Sequence, residues 1–136
     1  MDDFKITTIK KILIVKPDFI VATLRDAKPL WDEFESKLLF KRDKIIIDLS
    51  SCNNVDSTFI GMIIKIFRRV KKENGELKLV FPQMESTTQF WTLGITRIIP
   101  CFNSQEEAIN CFEHDISLKK VDYNEGFNIR LSLNDA

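Results

Sequence analysis

The residues best placed to do chemistry are Asp56-Ser57-Thr58, which lie between the strand-like run IIIDLS (Ile45 to Ser50) and the apolar-basic stretch FIGMIIKIFRRVKK. They stand where a loop turns into a helix. The first turn of a helix leaves backbone N–H groups unpaired and carries a partial positive charge, so a phosphate on Ser57 would be accommodated locally. Asp, Ser and Thr are also the preferred N-cap residues, and capping alone accounts for such a cluster before an apolar run. The tripeptide by itself does not choose between these roles.

The other reactive side chains point nowhere so definite. Cys52, Cys101 and Cys111 are odd in number and widely spaced, which argues against a disulfide framework or a zinc knuckle. They read as reduced, partly buried thiols. His114 is the only histidine, so a metal site would need carboxylates or thiols to complete it. It reads as a surface residue near a helix C-terminus. A hydrolase using Ser57 with His114 would need the two within hydrogen-bond reach, and only the presence of both residue types supports it. No Gly-x-Ser-x-Gly, phosphate-cradling glycine loop or His-Glu-x-x-His is present, so no catalytic residue, metal or cofactor is expected.

With 136 residues the chain fits one domain, and 20 basic against 20 acidic side chains give zero net charge. Nothing global points to nucleic acid or an anionic membrane, and no apolar run approaches the roughly 18 residues of a spanning helix. A soluble, cytoplasmic protein with a locally defined partner surface is expected.

The elements that must position Ser57 follow from periodicity. Phe4, Ile6 and Thr8 alternate with polar residues and ILIV follows Lys11, predicting two early strands before a break at Pro17. A helix is predicted from Asp26 as N-cap, with Pro29 in its first turn and an apolar stripe of Ala27, Leu30, Trp31, Phe34 and Leu38. Ile45 to Leu49 reads as a central strand, and Ser50 to Val55 as a loop. A helix over 57–73 buries Phe59, Ile60, Ile63, Ile64, Phe67 and Val70 and leaves Lys65, Arg68, Arg69, Lys71 and Lys72 solvated. Gly75 reads as its C-terminal cap, and Leu77 to Phe81 as a buried strand ended by Pro82.

Further on, the pattern predicts a short helix over 84–92 closed at Gly94, then a strand-like run from Arg97 to Phe102 broken by Pro100. Ser104-Gln105-Glu106-Glu107 supplies a capping box for a helix reaching about Glu113. In the tail, Phe127, Ile129, Leu131 and Leu133 alternate with polar residues behind the turn Asn124-Glu125-Gly126, predicting a hairpin. Strands alternating with helices make the fold class α/β.

The order IIIDLSSCNNVDSTFIGMIIKIFRRVKKENGELKLVFP resembles the core of the STAS domain, the family of bacterial anti-sigma factor antagonists, and FWTLGITRIIPCFNSQEEAI resembles its later segment. The likeness covers residues 4 to 114. It implies a mixed β-sheet of four to five strands with about four α-helices packed on it, a STAS domain over 1–115 and a C-terminal extension over 116–136. It further implies that Ser57, after Asp56 and before Thr58, is phosphorylated by a partner serine kinase that is itself the anti-sigma factor. The kinase brings ATP and magnesium, and a serine phosphatase resets the switch. Asp18, Asp56, Ser57, Thr58, Phe59 and Met62 are implied as the partner-binding surface. Phe59 stands where the family usually has glycine, with Gly61 retained two residues on, so a large side chain beside Ser57 is expected to narrow access or add an apolar contact. Lys16-Pro17 replaces a glycine-containing turn, with Asp18 as a near match to an acidic residue. The alternative within the same fold is a constitutive interaction subunit of a lipid-transport or sensory scaffold complex, with Ser57 merely capping. A monomer is the default, and the strand edge of the tail hairpin offers a route to a dimer.

Overall fold

The computed structural model describes residues 3–82 and 94–114. The predicted helix over 84–92 and the tail hairpin lie outside the described residues.

Five strands form one mixed sheet: β1 (Phe4–Ile9), β2 (Ile12–Pro17), β4 (Lys44–Asp48), β6 (Glu76–Val80) and β7 (Cys101–Phe102), in the order β1-β2-β4-β6-β7. β1 and β2 are an antiparallel hairpin, and every other pairing in the sheet is parallel. The hairpin turns through Lys10 and Lys11, both with positive φ (52° and 69°), the two-residue geometry whose twist matches that of the flanking strands. β4 occupies the centre, with Ile45, Ile46 and Ile47 fully buried, as expected for a parallel strand covered on both faces. Its alternation assigns those faces. Ile45 and Ile47 join Leu13, Val15, Leu77 and Leu79 under helices α1 (Leu24–Ser36) and α2 (Ser57–Lys72), while Ile46 joins Ile12, Ile14 and Val80 under α3 (residues 105–114). The predicted α/β sheet with helices packed on it is therefore present, with three α-helices among the described residues.

A second, two-stranded parallel ladder pairs β3 (Val21–Ala22) with β5 (Asn54–Val55). The sequence reads 50–55 as loop because two residues are too few to show a period. This small ladder joins the segments entering α1 and α2, which fixes the two helix starts beside each other.

Helix α1 begins two residues before Asp26. Thr23 is the N-cap: its Oγ1 accepts from Arg25 N–H at 3.3 Å, and the Asp26 carboxylate returns to accept from Thr23 N–H at 2.9 Å. Asp26 is thus the third helical residue of a capping box, not the cap. Pro29 then falls in the second turn, on the exposed side, where the carbonyl it leaves unpaired can reach water. Leu38 does not extend the apolar stripe. The helix ends at Ser36, and Leu38 is 64% exposed with a φ of 56°. Phe40, in the 3₁₀ turn Leu39–Lys41, fills that place against Phe34 and Trp31, with ring centroids 5.2 and 4.8 Å away.

Helix α2 buries Phe59, Ile60, Ile63, Ile66 and Val70, with Ile64 and Phe67 half-buried. Its basic residues are not all simply solvated: Arg69 lies over the Phe40 ring at 4.6 Å and Lys65 over Trp31 at 5.4 Å, so the two cations cover the aromatic cluster built by α1 and the 3₁₀ turn after it. The helix closes in a Schellman arrangement around Asn74, which takes the left-handed φ of 68°. Asn74 N–H donates to Lys71 and Gly75 N–H to Val70. Gly75 is required for a different reason than capping: a Cβ there would meet the Arg42 carbonyl oxygen at 2.7 Å.

Strand β6 ends before Pro82 as expected, whereas the run from Arg97 to Phe102 is mostly not strand. A 3₁₀ turn takes Ile95–Arg97 and only Cys101–Phe102 pair with β6, because Pro100 has no N–H to extend the ladder. Ser104 caps α3 by accepting from Glu107 N–H at 3.1 Å. Glu107 in turn accepts from Asn103 N–H at 3.2 Å, one residue earlier than a standard capping box.

Candidate functional site

Asp56 is the N-cap of α2, extended at φ −86° and ψ 169°, and its two carboxylate oxygens serve two helices. Oδ1 accepts from Phe59 N–H of α2 at 2.9 Å, and Oδ2 accepts from Leu24 N–H, the first residue of α1, at 3.0 Å. The β3–β5 ladder makes this reach feasible, since Asp56 N–H itself donates to the Ala22 carbonyl at 2.9 Å. A single negative charge therefore sits between two helix N-termini, where both dipoles favour it.

Ser57 and Thr58, the first two residues of α2, are exposed. Their side chains make no hydrogen bond within the described residues, because capping is done by Asp56. The Ser57 Oγ is consequently free to react, with the unpaired N–H groups of the first turn beside it.

Phe59 faces the other way. It is fully buried and packs edge-on against Phe19 at 6.3 Å, which in turn meets Phe4 at 5.8 Å. The Phe59 side chain thus supports the site from beneath and leaves Ser57 open. Met62 is half-buried against the same core. Asp18 is exposed, its N–H bonded to the Asp3 carbonyl at 2.8 Å, and it precedes the Phe19 that packs on Phe59. The loop after β2 and the start of α2 are thereby brought together, with Asp18, Ser57 and Thr58 at the surface.

Three residues that sequence reasoning passed over share this end of the molecule. Ile20, Val21 and Leu24 are large, apolar and exposed. Ile20 is tied to the loop before Ser57, its carbonyl accepting from Asn53 N–H at 2.6 Å and Asn54 N–H at 3.3 Å. The available signal was an apolar Phe19-Ile20-Val21 run too short to be a core strand.

Asp48, at the end of β4, is buried and holds the loop that leads to the site. Its Oδ1 accepts from Ser50 N–H at 2.9 Å and its Oδ2 from the Gln105 side-chain amide at 2.7 Å. Cys52 lies within that loop, fully buried, and burial pushes its thiol up to about 12, with Asp26 and Asp48 adding to the shift. Burial raises the Cys101 thiol to about 12 as well. Both are neutral sulfhydryls at physiological pH, which suits filler of the core rather than nucleophiles.

His114 ends α3, its Nδ1 3.0 Å from the Asn110 carbonyl. α3 covers the sheet face opposite α2, and Glu113 pairs with Lys10 of the β1–β2 turn at 3.4 Å, at the other end of the strands from Ser57. The structure does not bring His114 to Ser57, so the hydrolase arrangement is absent. Among the described residues, no three His, Cys, Asp or Glu side chains are gathered to hold a metal, and no helix is long and apolar enough to cross a membrane.

Comparison with known proteins agrees with this architecture. The chain is similar to an anti-sigma-factor antagonist (STAS) domain protein from Planctomyces limnophilus at 17% identity and a TM-score of 0.70, over 82% of this chain and 98% of that one. It is similar to the phosphorylated form of the Bacillus cell fate determinant SpoIIAA at 16% identity and 0.58, over 79% and 96%. A murine solute carrier family 26 anion transporter matches at 16% identity and 0.63, over 76% of this chain and 18% of the transporter. These likenesses establish the fold alone. No curated protein sequence matches the chain. The STAS domain model itself matches residues 7–108, from the first hairpin through β4, the loop after it and helix α2 to α3, and by that match the chain belongs to the STAS domain family.

Proposed function

We propose that this protein is an anti-sigma factor antagonist whose binding to a serine-kinase anti-sigma factor is controlled by phosphorylation of Ser57. The observation that carries the reading is the division of labour at the start of α2. Asp56 performs the capping, so the Ser57 hydroxyl is exposed and uncommitted at a position suited to an anion. The SpoIIAA relative exists in a phosphorylated form, which accords with this reading.

Phosphorylation adds about 1.5 to 2 negative charges. Within the free protein the N–H groups of the first turn take up that charge, whereas a packed partner surface must desolvate it next to the Asp56 carboxylate. Each 1.4 kcal/mol is about tenfold in affinity, so a few kcal/mol separate the two proteins without refolding either. The chain contributes an acceptor hydroxyl and a docking surface in the cytoplasm; the kinase supplies ATP and magnesium, and a serine phosphatase restores the binding form. Residues 1–115 form the functional unit, and 116–136 extend it.

Incubation with ATP and a purified serine kinase from the same genome tests the assignment. Phosphate is expected on Ser57, with the phosphorylated chain released from the kinase. Equal labelling of the Ser57→Ala variant would remove the assignment. The occurrence of this fold within an anion transporter favours a second reading, a constitutive interaction subunit in which Ser57 is never modified. Kinase binding that is lost in Ser57→Asp counts against it.

A further inference from the structure

Ile20, Val21 and Leu24 are 63%, 51% and 68% exposed, half of the six large hydrophobic residues that the described chain leaves in water. They fall within five positions, and both ends of the group are tied to the acceptor. The Ile20 carbonyl holds the loop that leads into Ser57, and the Leu24 N–H is bound by the Asp56 carboxylate. Hydrophobic side chains concentrated in this way mark contact surfaces more than scattered ones do.

Gly61 adds an independent observation. It lies one helical turn beyond Ser57, on the exposed face of α2, and a Cβ built there would meet nothing within 4 Å. Its conformation is that of the helix, so no left-handed φ calls for glycine. Glycine is among the least favourable residues in a helix interior. Nothing in the described chain uses the missing side chain.

We infer that the protein acting on Ser57 seats an apolar surface on Ile20, Val21 and Leu24 and lays its own backbone across α2 at Gly61. The inference rests on the proposed function and names the surface that selects the partner. The kinase fits this surface by area, since a stable protein interface covers about 800 Å² on each side. A disc of that size around Ser57 has a radius of roughly 16 Å. Leu24 N–H is bonded to the carboxylate of Asp56, the residue next to Ser57, so a kinase that encloses the hydroxyl must cover the patch. The apolar side chains then leave water only in the complex, and they set affinity while Ser57 sets the switch.

The probe is the purified ATP-dependent serine kinase that labels Ser57, used with the full-length chain. An Ile20→Ser, Leu24→Ser double variant is expected to raise KM at least tenfold with kcat within twofold. Leu38→Ser, an equally exposed leucine at the far end of α1, is expected to leave KM unchanged. Gly61→Ala is expected to raise the melting temperature by about 3–6 °C and still weaken kinase binding fivefold or more, a pairing that misfolding cannot produce. If the double variant is labelled with the parent KM, the docking inference falls and the acceptor assignment stands. If KM is unchanged but sedimentation shifts from dimer to monomer, the occupant is a second copy, and the assignment to the kinase is overturned. Failure of the parent chain to be labelled by any such kinase refutes both the function and this surface.

Discussion

Replacing Asp56 separates the two jobs its carboxylate performs. Asp56→Ala removes the acceptor for Phe59 N–H, an N-cap loss of about 1 kcal/mol, and the acceptor for Leu24 N–H, a charge-assisted but water-exposed bond of about 0.5–1.5 kcal/mol. The sum is about 2 kcal/mol. With a urea slope of about 1.5 kcal/mol per molar, the unfolding midpoint should fall by about 1.3 M. Asp56→Asn supplies one oxygen and one NH₂ group, so it can keep the Phe59 bond while presenting a donor to the Leu24 N–H. It should lose about half as much as the alanine variant. Amide exchange measured alongside the urea curves resolves the two: Asn should protect Phe59 N–H and expose Leu24 N–H, and Ala should expose both. If Ala and Asn shift the midpoint equally, or if neither changes exchange at Leu24, the double-capping geometry is wrong.

Two further outcomes follow from close packing and from the buried thiols. Gly75→Ala places a Cβ 2.7 Å from the Arg42 carbonyl and 3.0 Å from Val70 Cγ1, so it should destabilise the fold by about 1–3 kcal/mol in urea unfolding, against a gain at the open Gly61. Cys52 and Cys101 have folded values raised from 9.0 to about 12, so the folded state keeps protons that the unfolded chain releases above pH 9. Stability is therefore complete below pH 9 and declines as pH rises toward 12, by about 1.4 kcal/mol per pH unit for each thiol. Denaturant midpoints between pH 8 and 10.5 should show the decline, and Cys→Ala at both positions should flatten it.

Much of the scaffold was legible because its signals repeat. The unbroken β-branched run of Ile45 to Ile47 marks a strand with no wet face, and the spacing of Phe59, Ile60, Ile63 and Val70 marks a helix with one dry face. The exposed position of Ser57 at a helix start was legible from its place between them. The signals that failed are short or depend on contacts from elsewhere in the chain. Thr23 and Asp26 are both credible caps, and only the reciprocal bond between them shows which one starts α1. Two-residue strands such as Val21–Ala22 have no period to detect. Arg69 and Lys65 look solvated until α1 and the 3₁₀ turn after it place Trp31 and Phe40 beneath them. For the site itself, the second partner of Asp56 lies 32 residues away at Leu24 and leaves no trace in the local motif.

The turn at Lys10 and Lys11 also bears on how the chain assembles. Among the described pairings of the sheet, β1 with β2 is the one between sequence neighbours, and it closes through two left-handed residues that are not glycine. Each such residue costs about 1 kcal/mol, so the hairpin gains little from forming alone. The parallel pairings, Leu13 with Ile45 and Ile45 with Leu77, must then span about thirty residues before they contribute. Sheet formation is consequently late, concerted and comparatively slow, with the rate set by the crossovers through α1 and α2 and not by the turn. Ser57, standing at the entrance to the second crossover, reaches its place beside Leu24 and Asp56 only when that long-range step is complete.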